Sequence, residues 1–253
     1  MSTEDDKSTT ASYQEENLIE ELKGMISSLT FEQRAPLTMI AGYSELLISG
    51  AFGSLNDKQT EAIGTMQKIV KRLIGLNNFV MDDLFILNLL LKHRELDLRQ
   101  IEIGDWLTDS TTRYTKALEA KDQQLIIDVA QPQYTISDSH CCTKLLGYLV
   151  DNACKYSENG SQITISGKPR LKDILVTVTD NGIGIPEDEQ PQIFAKWFRG
   201  KHEIVRKEEG SGGGLYLAKG LTKVLDSELG FESQEGKGST FWFTLPLAKD
   251  EIT

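Results

Sequence analysis

Apolar residues recur at helical spacing over the first ninety residues and predict two long helices. The stripe of the first helix comprises Leu18, Leu22, Met25, Leu29, Ile40 and Leu47. The stripe of the second comprises Ala62, Met66, Ile69, Leu73, Leu76, Val80, Leu84, Leu87 and Leu91. This second stripe follows a heptad with a single four-residue stutter near its middle. The glycine-containing stretch 50–54 ends the first helix, and Asn56 or Asp57 is a suitable N-cap for the second.

Two long helices joined by a short turn form a helical hairpin. Each helix has about 35 residues and is therefore about 50 Å long. An isolated hairpin of this length leaves its apolar stripe half covered. We therefore expect it to pair with a second copy in a dimeric four-helix bundle. The alternative is a long helical arm that packs on its own second domain.

The periodicity changes after His93 and predicts a mixed α+β domain of two layers, an α/β sandwich. Strands are predicted at 96–103, 124–129, 161–168, 173–180, 229–234 and 238–246. Helices are predicted at 104–120, 138–156 and 212–228. The predicted organisation is a disordered N-terminus at 1–12, a helical hairpin at 13–95 and the α+β domain at 96–248.

Composition and charge narrow the classes of function. The 253 residues include 38 acidic and 27 basic side chains, and the formal net charge of −11 disfavours binding to nucleic acid. We find neither a signal peptide nor an apolar run long enough for a membrane span, and therefore expect a cytoplasmic protein. Cys141, Cys142 and Cys154 form no CxxC pair, which predicts buried, reduced thiols rather than disulfides or a zinc site.

Two polar clusters in the second domain carry candidate chemistry. The helix ending in Asp151-Asn152-Ala153-Cys154-Lys155-Tyr156 offers the amide oxygen of Asn152 to a hard cation such as Mg²⁺ and the ammonium of Lys155 to a phosphate. A strand then ends at Asp180, whose carboxylate can accept a hydrogen bond from an exocyclic amine. Gly182 and Gly184 follow and allow the backbone to approach a planar base closely.

Two further clusters follow along the chain. The segment Ile193–Arg199 places Phe194 and Phe198, both expected in the core, before the cationic Arg199. The segment Gly210–Leu217 is a glycine run that opens a helix, an arrangement whose N–H groups attract phosphate. The glycine run alone is a weak signal, since flexible linkers look similar.

Together the four clusters resemble the nucleotide-binding domain of the sensor histidine kinases. The matching segments are DNACKY, DNGIGIP, IFAKWFRG, GSGGGLYLAK and KGSTFWFTLP, and TFEQRAPLTMIAGYSELL resembles the dimerisation and phosphotransfer helix. The resemblance covers residues 20–247. It implies ATP and Mg²⁺ as ligands, with Asp180 on the adenine amine, Asn152 on Mg²⁺ and Lys155 on a phosphate. It also implies a pocket formed by Gly182, Gly184, Phe198, Arg199, Gly212, Gly214 and Leu215, under a lid at 200–211.

Three positions depart from the family pattern. Phe31 stands where the family has its phosphoaccepting histidine, next to Glu32, and a phenyl ring has no lone pair for nucleophilic attack. Ala35 stands where a Thr or Asn positions water for removal of phosphate from a response regulator. Tyr148 stands where the family has a metal-binding asparagine, or the wider superfamily a general-base glutamate. Tyr148 therefore weakens the expectation of Mg²⁺ and ATP, and Gly213 replaces a usual leucine.

These features support three functional hypotheses. The first is a degenerate histidine kinase that acts as a regulatory or scaffold pseudokinase and binds ATP. The second is an active enzyme that phosphorylates the histidine of a partner in trans. The third is an interaction protein that binds no nucleotide. The expected partners are a second copy or another histidine kinase in a dimer, and a response regulator.

Overall fold

The computed structural model describes residues 4–129, 132–208 and 210–248, with the backbone alone described for 4–18 and for Lys207. The chain divides into two compact units, Met1–Phe85 and Ile86–Thr253. The sequence-based boundary between residues 95 and 96 lies several residues later. The difference arises because the last turns of the second helix belong to the second unit, where Ile86 is buried and its methyl carbon lies 3.0 Å from the Cβ position of Gly220.

The first unit contains the predicted pair of long helices. They are α1, Glu4–Ile48, and α2, Asp57–Leu90, the second of which ends in the other unit. Asn56 caps α2, since its Oδ1 accepts from the N–H of Gln59 at 3.0 Å and Gln59 Oε1 accepts from the N–H of Asn56 at 3.0 Å. Residues 1–12 were expected to be disordered. The helix covers 4–12, where neither glycine nor proline interrupts it, while residues 1–3 lie outside the described part.

The hairpin leaves most of its predicted apolar stripes uncovered. Between the helices, Asn77 is buried and its Nδ2 donates to the carbonyl of Thr30 at 2.6 Å, while Val70 is also buried. Many positions of the predicted stripes are exposed, including Leu22, Met25, Leu29, Ile40, Met66, Ile69 and Leu73, whereas Leu47, Leu76, Val80 and Leu84 are half-buried. The single chain therefore does not bury the residues that the heptad pattern marks as apolar.

Over its described residues, the second unit contains seven strands and the other helices of the chain. The strands are β1 (Leu98–Glu102), β2 (Gln124–Asp128), β3 (Tyr134–Asp138), β4 (Gln162–Pro169), β5 (Asp173–Asp180), β6 (Leu229–Gln234) and β7 (Gly238–Pro246). The helices are α3 (Ile103–Thr111), α4 (Thr115–Ala120), α5 (Ser139–Tyr156), α6 (Glu203–Lys207) and α7 (Gly214–Val224). The main sheet has the order β2-β4-β5-β7-β6, and β1 pairs with β3 in a second, two-stranded sheet.

The two layers meet along one face of the main sheet. Every second residue of β5 is buried, including Ile174, Val176 and Val178, as expected for a strand with one covered face. Helix α5 packs on β5 and on α7, and α3 packs beside β2 and β4. β2 and β4 are parallel, whereas the other pairs of the main sheet are antiparallel. The predicted α+β class is confirmed.

The differences from the sequence-based prediction include β3 and the helix predicted at 104–120. β3 was missed because Thr135 and Ser137 are polar, yet both are buried where β3 pairs with β1. The helix predicted at 104–120 is divided into α3, a 3₁₀ turn at Thr112–Tyr114 and α4. Successive threonine hydroxyls bond to backbone carbonyls there, a competition that weakens a regular helix.

Within the described residues, one helix, Asp57–Leu90, is long and apolar enough to cross a membrane by length and composition alone. A core helix of a soluble protein passes the same test. The helix also contains Asn77, Asp82 and Asp83, whose side chains are costly inside a bilayer. The expected absence of a membrane span therefore stays a prediction.

Candidate functional site

Helix α5 presents the first polar cluster. Asp138 caps the helix, since its Oδ1 accepts from the N–H of Cys141 and its Oδ2 from the N–H of Asp97, both at 2.9 Å. Partial burial raises the pKa of Asp138, but these hydrogen bonds outweigh burial and hold the pKa below its ordinary value of 3.8. The apolar face of α5 is buried in the core, so the opposite face leaves Asn152 and Lys155 half-buried.

Asp180 ends β5 as a buried carboxylate. Asp180 is only 8% exposed to solvent. Its Oδ1 accepts from the N–H of Gly182 at 2.8 Å and from the N–H of Ser239, on the neighbouring β7, at 3.3 Å. Burial raises the pKa of Asp180, although the two N–H groups oppose that shift. Both hydrogen bonds reach the same oxygen, and Oδ2 accepts none from the described residues.

The turn after Asp180 has no room for side chains at its two glycines. A Cβ on Gly182 would lie 2.4 Å from the carbonyl oxygen of Tyr156. A Cβ on Gly184 would lie 2.0 Å from the carbonyl oxygen of Gln234, and Gly184 also has a φ of +64°. Glycine at these positions lets the turn pack against the end of α5 and the β6–β7 hairpin.

The glycine run brings the start of α7 against two other segments. Gly212 has a φ of +73°, and a Cβ there would lie 2.6 Å from the carbonyl oxygen of Phe198. Gly213 is the N-cap of α7, and the Cβ position of Gly214 lies 3.8 Å from the ring of Tyr148 on α5. Leu215 follows in the first turn and is half-buried. The free N–H groups of this first turn are available to an anion.

Arg199 holds the predicted lid segment. Its Nη1 donates to the carbonyl of Gly210 at 2.7 Å, and its Nη2 donates to the carbonyls of Val205 and Glu208. Lys121 binds the same segment from the other side, with Nζ 2.9 Å from Glu208 Oε1. The segment contains α6, and residue 209 lies outside the described part. Arg199 therefore contacts backbone carbonyls of the segment.

The structure brings most of the predicted site residues together. Lys155 Nζ lies 3.9 Å from the Cβ position of Gly210, while its ammonium pairs with Asp151 one helical turn earlier. Phe198 adjoins Gly212, as described above. The exceptions are Phe31 and Glu32, which lie on α1 in the other compact unit, where Phe31 is 72% exposed.

Sequence reasoning missed three contributors to this site. The carbonyl of Tyr156 accepts from the N–H of Ile183 at 3.1 Å and so joins α5 to the glycine turn. Ser239 donates its N–H to Asp180, as noted above. Ser157 is buried with a hydroxyl that has no partner among the described residues. The sequence signal that could have identified Ser157 is its position directly after the DNACKY segment. Phe194 and Phe198 were expected in the core, but both are half-buried; the Phe194 ring lies edge-on to Phe231, with the ring centroids 5.7 Å apart.

The donor set for a divalent cation is small. No group of three His, Cys, Asp or Glu side chains suitable for a metal occurs in the part of the chain that the structure describes. Asn152 offers one amide oxygen, and the Asp151 carboxylate pairs with Lys155. Tyr148, whose ring lies near Gly214, has no amide oxygen to offer as a second ligand. The protein supplies few ligands here, so phosphate oxygens and water would have to complete a magnesium shell.

Comparison with known proteins defines the class of this domain. Residues 138–249 match the family described as histidine kinase-, DNA gyrase B-, and HSP90-like ATPase. This range begins at the cap of α5 and contains every second-unit residue of the predicted site. The domain is therefore a histidine kinase-type ATPase domain.

The similarity extends beyond this domain to sensor histidine kinases. The chain is 27% identical to the sensor histidine kinase GacS of Pseudomonas protegens, over 88% of this chain and 24% of that protein. It is 27% identical to the sensor histidine kinase WalK of Bacillus subtilis, over 94% of this chain and 39% of that protein. The chain is thus similar to sensor histidine kinases over most of its own length, and it spans a quarter to two fifths of these relatives.

Solved structures share the fold. A full-length ShkA in complex with AMPPNP aligns with a TM-score of 0.65 and 21% identity, over 89% of this chain and 46% of that chain. The histidine kinase AdeS of Acinetobacter baumannii aligns with a TM-score of 0.56 and 18% identity, over 86% of this chain and 98% of that chain. At these identities the likeness concerns the fold.

Proposed function

We propose that this chain binds ATP in its second unit and acts as a regulatory or scaffold protein of two-component signalling. In this proposal it does not autophosphorylate at the position usual for its family. The main support for ATP binding is the buried carboxylate of Asp180. The main support for a regulatory role without autophosphorylation is Phe31, which occupies the phosphoacceptor position.

The adenine end of the site is supported by the chemistry of Asp180. Its Oδ1 is engaged by two backbone N–H groups, so Oδ2 is left to accept from an exocyclic amine. The raised pKa reflects the cost of burying a charge, and a donor to the carboxylate offsets that cost. The close packing of Gly182 and Gly184 against the carbonyls of Tyr156 and Gln234 holds the turn that follows Asp180 in place.

The phosphate end is supported by the start of α7 and by Lys155. Free N–H groups, the helix dipole and the small Gly212 and Gly214 suit an anion. Lys155 would exchange its contact with Asp151 for a phosphate oxygen. Bound ATP would supply a transferable phosphoryl group. Asn152 is the one residue we assign to Mg²⁺, consistent with a metal held largely by the nucleotide. The similar full-length ShkA was crystallised with AMPPNP, which favours ATP as the ligand of this chain.

The exposed stripes of the hairpin support a dimer. Apolar side chains at heptad spacing on α2 are uncovered in the single chain, and a second hairpin would cover them. We propose a homodimer or a heterodimer with another histidine kinase, in the cytoplasm, with a response regulator as a further partner. Ala35 cannot position water as a Thr or Asn would, so the dimer would bind a regulator without dephosphorylating it.

Titration calorimetry with Mg-ATP tests the nucleotide part. We expect saturable binding that Asp180→Asn abolishes, because the asparagine amide presents a donor to the adenine amine. Asp128→Asn, at the exposed end of β2, is the control and should bind like the unmodified chain. Equal binding by both variants, or none by the unmodified chain, contradicts the proposed site.

A second candidate is phosphorylation of a partner's histidine in trans. This candidate is favoured because, within the segments of the nucleotide site, only Tyr148 and Gly213 depart from the histidine kinase pattern. Mixing the chain with a histidine-bearing kinase whose own nucleotide site is inactivated should then yield labelled phosphohistidine. An unlabelled partner excludes this candidate and leaves the regulatory proposal standing. The variant Phe31→His distinguishes the loss of the phosphoacceptor at position 31 from a loss of nucleotide function at Tyr148. Autophosphorylation of this variant would show that the nucleotide domain is competent.

A further inference from the structure

Lys121 is a half-buried cation that joins three segments of the second unit. It lies directly after α4, and its Nζ donates to the carbonyls of Cys154 and Lys155, at the end of α5, at 3.1 and 2.9 Å. Its Nζ also donates to Glu208 Oε1, in the lid segment at 200–211, at 2.9 Å. An ammonium group has three donors, so all of them have an acceptor here. The sequence pattern does not single out this lysine.

The two contacts of Lys121 with α5 follow from the nature of a helix end. The last carbonyls of a helix have no partner inside the helix, and they form the negative end of its dipole. A cation is stabilised at that end, so α5 itself favours an ammonium group there. The contact with Glu208 is therefore an addition to a position that the fold already provides, and it is the one of the three that reaches the lid segment.

Glu208 is held from two sides. Its side chain pairs with Lys121, and the two side chains are 28% and 29% exposed, respectively. Its backbone carbonyl accepts from Arg199 Nη2 at 2.7 Å, and Arg199 also donates to the carbonyls of Val205 and Gly210. Opposite charges that are partly shielded from water attract more strongly than fully exposed ones and are screened less by salt. The end of α6 is therefore tied to the rest of the domain at Glu208.

This ion pair lies beside groups that the proposed function assigns to the nucleotide. Lys155 Nζ is 3.9 Å from the Cβ position of Gly210, two residues after Glu208. Burial raises the pKa of Tyr156, the nearby charges of Lys155 and Arg199 oppose that shift, and the charge of Glu208 adds to it. The part of the lid segment that Glu208 anchors therefore lies against the lysine proposed to bind a phosphate.

We propose that Lys121 is a positioning residue that holds the lid segment through Glu208 and thereby slows both the entry and the release of the nucleotide. The inference rests on the proposed function, since it names a regulation of the same site. Loss of the ion pair frees the end of α6 but leaves Asp180 and the glycine run unchanged. Exchange of the nucleotide should therefore become faster, while the equilibrium affinity changes little.

Hydrogen–deuterium exchange of the full chain without nucleotide tests whether the ion pair holds the lid segment. The N–H of Arg206 in α6 donates to the carbonyl of His202 at 3.1 Å, so its exchange reports on this segment. We expect Glu208→Ala to raise that exchange rate about fivefold, because one partly shielded ion pair is lost. Lys121→Met should do the same, and the double variant should exchange no faster than either. Additive effects, or an unchanged rate in Glu208→Ala, overturn the proposal.

Matched variants separate this role from a merely structural one. Lys121→Met also removes a cap from α5 and should lower the midpoint of thermal unfolding, whereas Glu208→Ala should leave the midpoint unchanged. Asp128→Ala is the control, because it breaks an exposed pair with Lys168, 3.7 Å apart, outside the site. It should not alter exchange in α6. Faster exchange in the control, or equal losses of stability in Lys121→Met and Glu208→Ala, contradicts the assignment.

Stopped-flow fluorescence with N-methylanthraniloyl-ATP measures the consequence for the nucleotide. In Glu208→Ala the association and dissociation rates should both rise about fivefold, with less than about a twofold change in the dissociation constant. Rates equal to those of the unmodified chain overturn the control of nucleotide exchange by Lys121. An unmodified chain that binds no nucleotide contradicts the proposed function itself, and deuterium exchange then decides separately whether Lys121 holds the lid segment.

Discussion

At the scale of single residues, Asp180 links stability to ligand recognition. Burial raises the pKa of its carboxyl above 3.8, so the folded chain binds a proton at pH values where the unfolded chain has released it. The contribution of this group to stability therefore falls as the pH rises from 3.8 through the raised pKa. The charge is costly to the fold and is retained at a position where an amine can bind.

Asp180→Asn should accordingly leave the empty protein as stable as the unmodified chain or more stable at neutral pH. The asparagine oxygen keeps the bonds from Gly182 and Ser239 without the buried charge. Urea unfolding across acid to neutral pH should show a flatter dependence on pH for this variant. Asp128→Asn should leave the dependence unchanged, and a large loss of stability in Asp180→Asn would contradict this account.

The glycine turn permits a test that separates backbone strain from steric overlap. Gly184→Ala combines a positive φ with a Cβ 2.0 Å from the carbonyl of Gln234, and we expect a loss of about 3 kcal/mol in unfolding free energy. Gly160→Ala is the control, since its φ is +75° but nothing lies within 4 Å of its Cβ. The control should lose only about 1 kcal/mol. Equal losses in chemical denaturation would rule out the overlap as the cause.

At the scale of elements, each long helix of the site has a specific start. The cap of α5 by Asp138 fixes where Asn152 and Lys155 fall relative to the sheet, since both lie on the same rigid helix. The start of α7 has a glycine N-cap without a side-chain hydrogen bond. The two helices that form the site therefore differ in how firmly their first turns are held.

Asp138→Ala should destabilise the fold by about 1 kcal/mol at neutral pH through loss of the cap. The pKa of Asp138 is lower in the folded chain, so its carboxylate stabilises the fold above pH 3.8. That contribution disappears as the pH falls through the folded pKa. Asp138→Asn keeps the capping oxygen for Cys141 but loses the acceptor for Asp97, so it should recover only part of the loss. Urea unfolding at neutral and acid pH measures both effects, and an alanine variant equally destabilised at low pH would contradict them.

At the scale of the whole molecule, the second unit is stabilised by a core that includes all three cysteines. Cys141, Cys142 and Cys154 are free and buried, as predicted. Burial raises their pKa values to about 12, 12 and 11, respectively. Such thiols are protonated at neutral pH and out of contact with solvent, which makes them reporters of unfolding.

Iodoacetamide should therefore label the native chain only as fast as the second unit opens. We expect labelling in mild urea to rise in parallel with loss of the native circular dichroism signal, and mass spectrometry counts the modified thiols. A short peptide containing Cys141 and Cys142 gives the unprotected rate as a control. Rapid labelling of all three thiols in the native chain would contradict a closed core.

The sequence by itself determined the order and type of nearly all elements, because helical and strand periodicities are local properties. It also determined where the nucleotide-site residues fall, since Asp180 ends a strand and the glycine run opens a helix. The cap of α2 followed from the same local chemistry at Asn56. The identity of the residue at Phe31 is likewise a fact of the sequence that no tertiary contact alters.

Only the tertiary structure decided the features that depend on distant partners. β3 is a strand because it pairs with β1, although its buried residues are polar. The last turns of α2 belong to the second unit because Ile86 packs on α7. Arg199 contacts carbonyls of the lid segment, and Lys121 joins the end of α5 to the same segment. Apart from those of Arg199, which reach 6 to 11 residues along the chain, these contacts join residues far apart in the sequence, so no local pattern contains them.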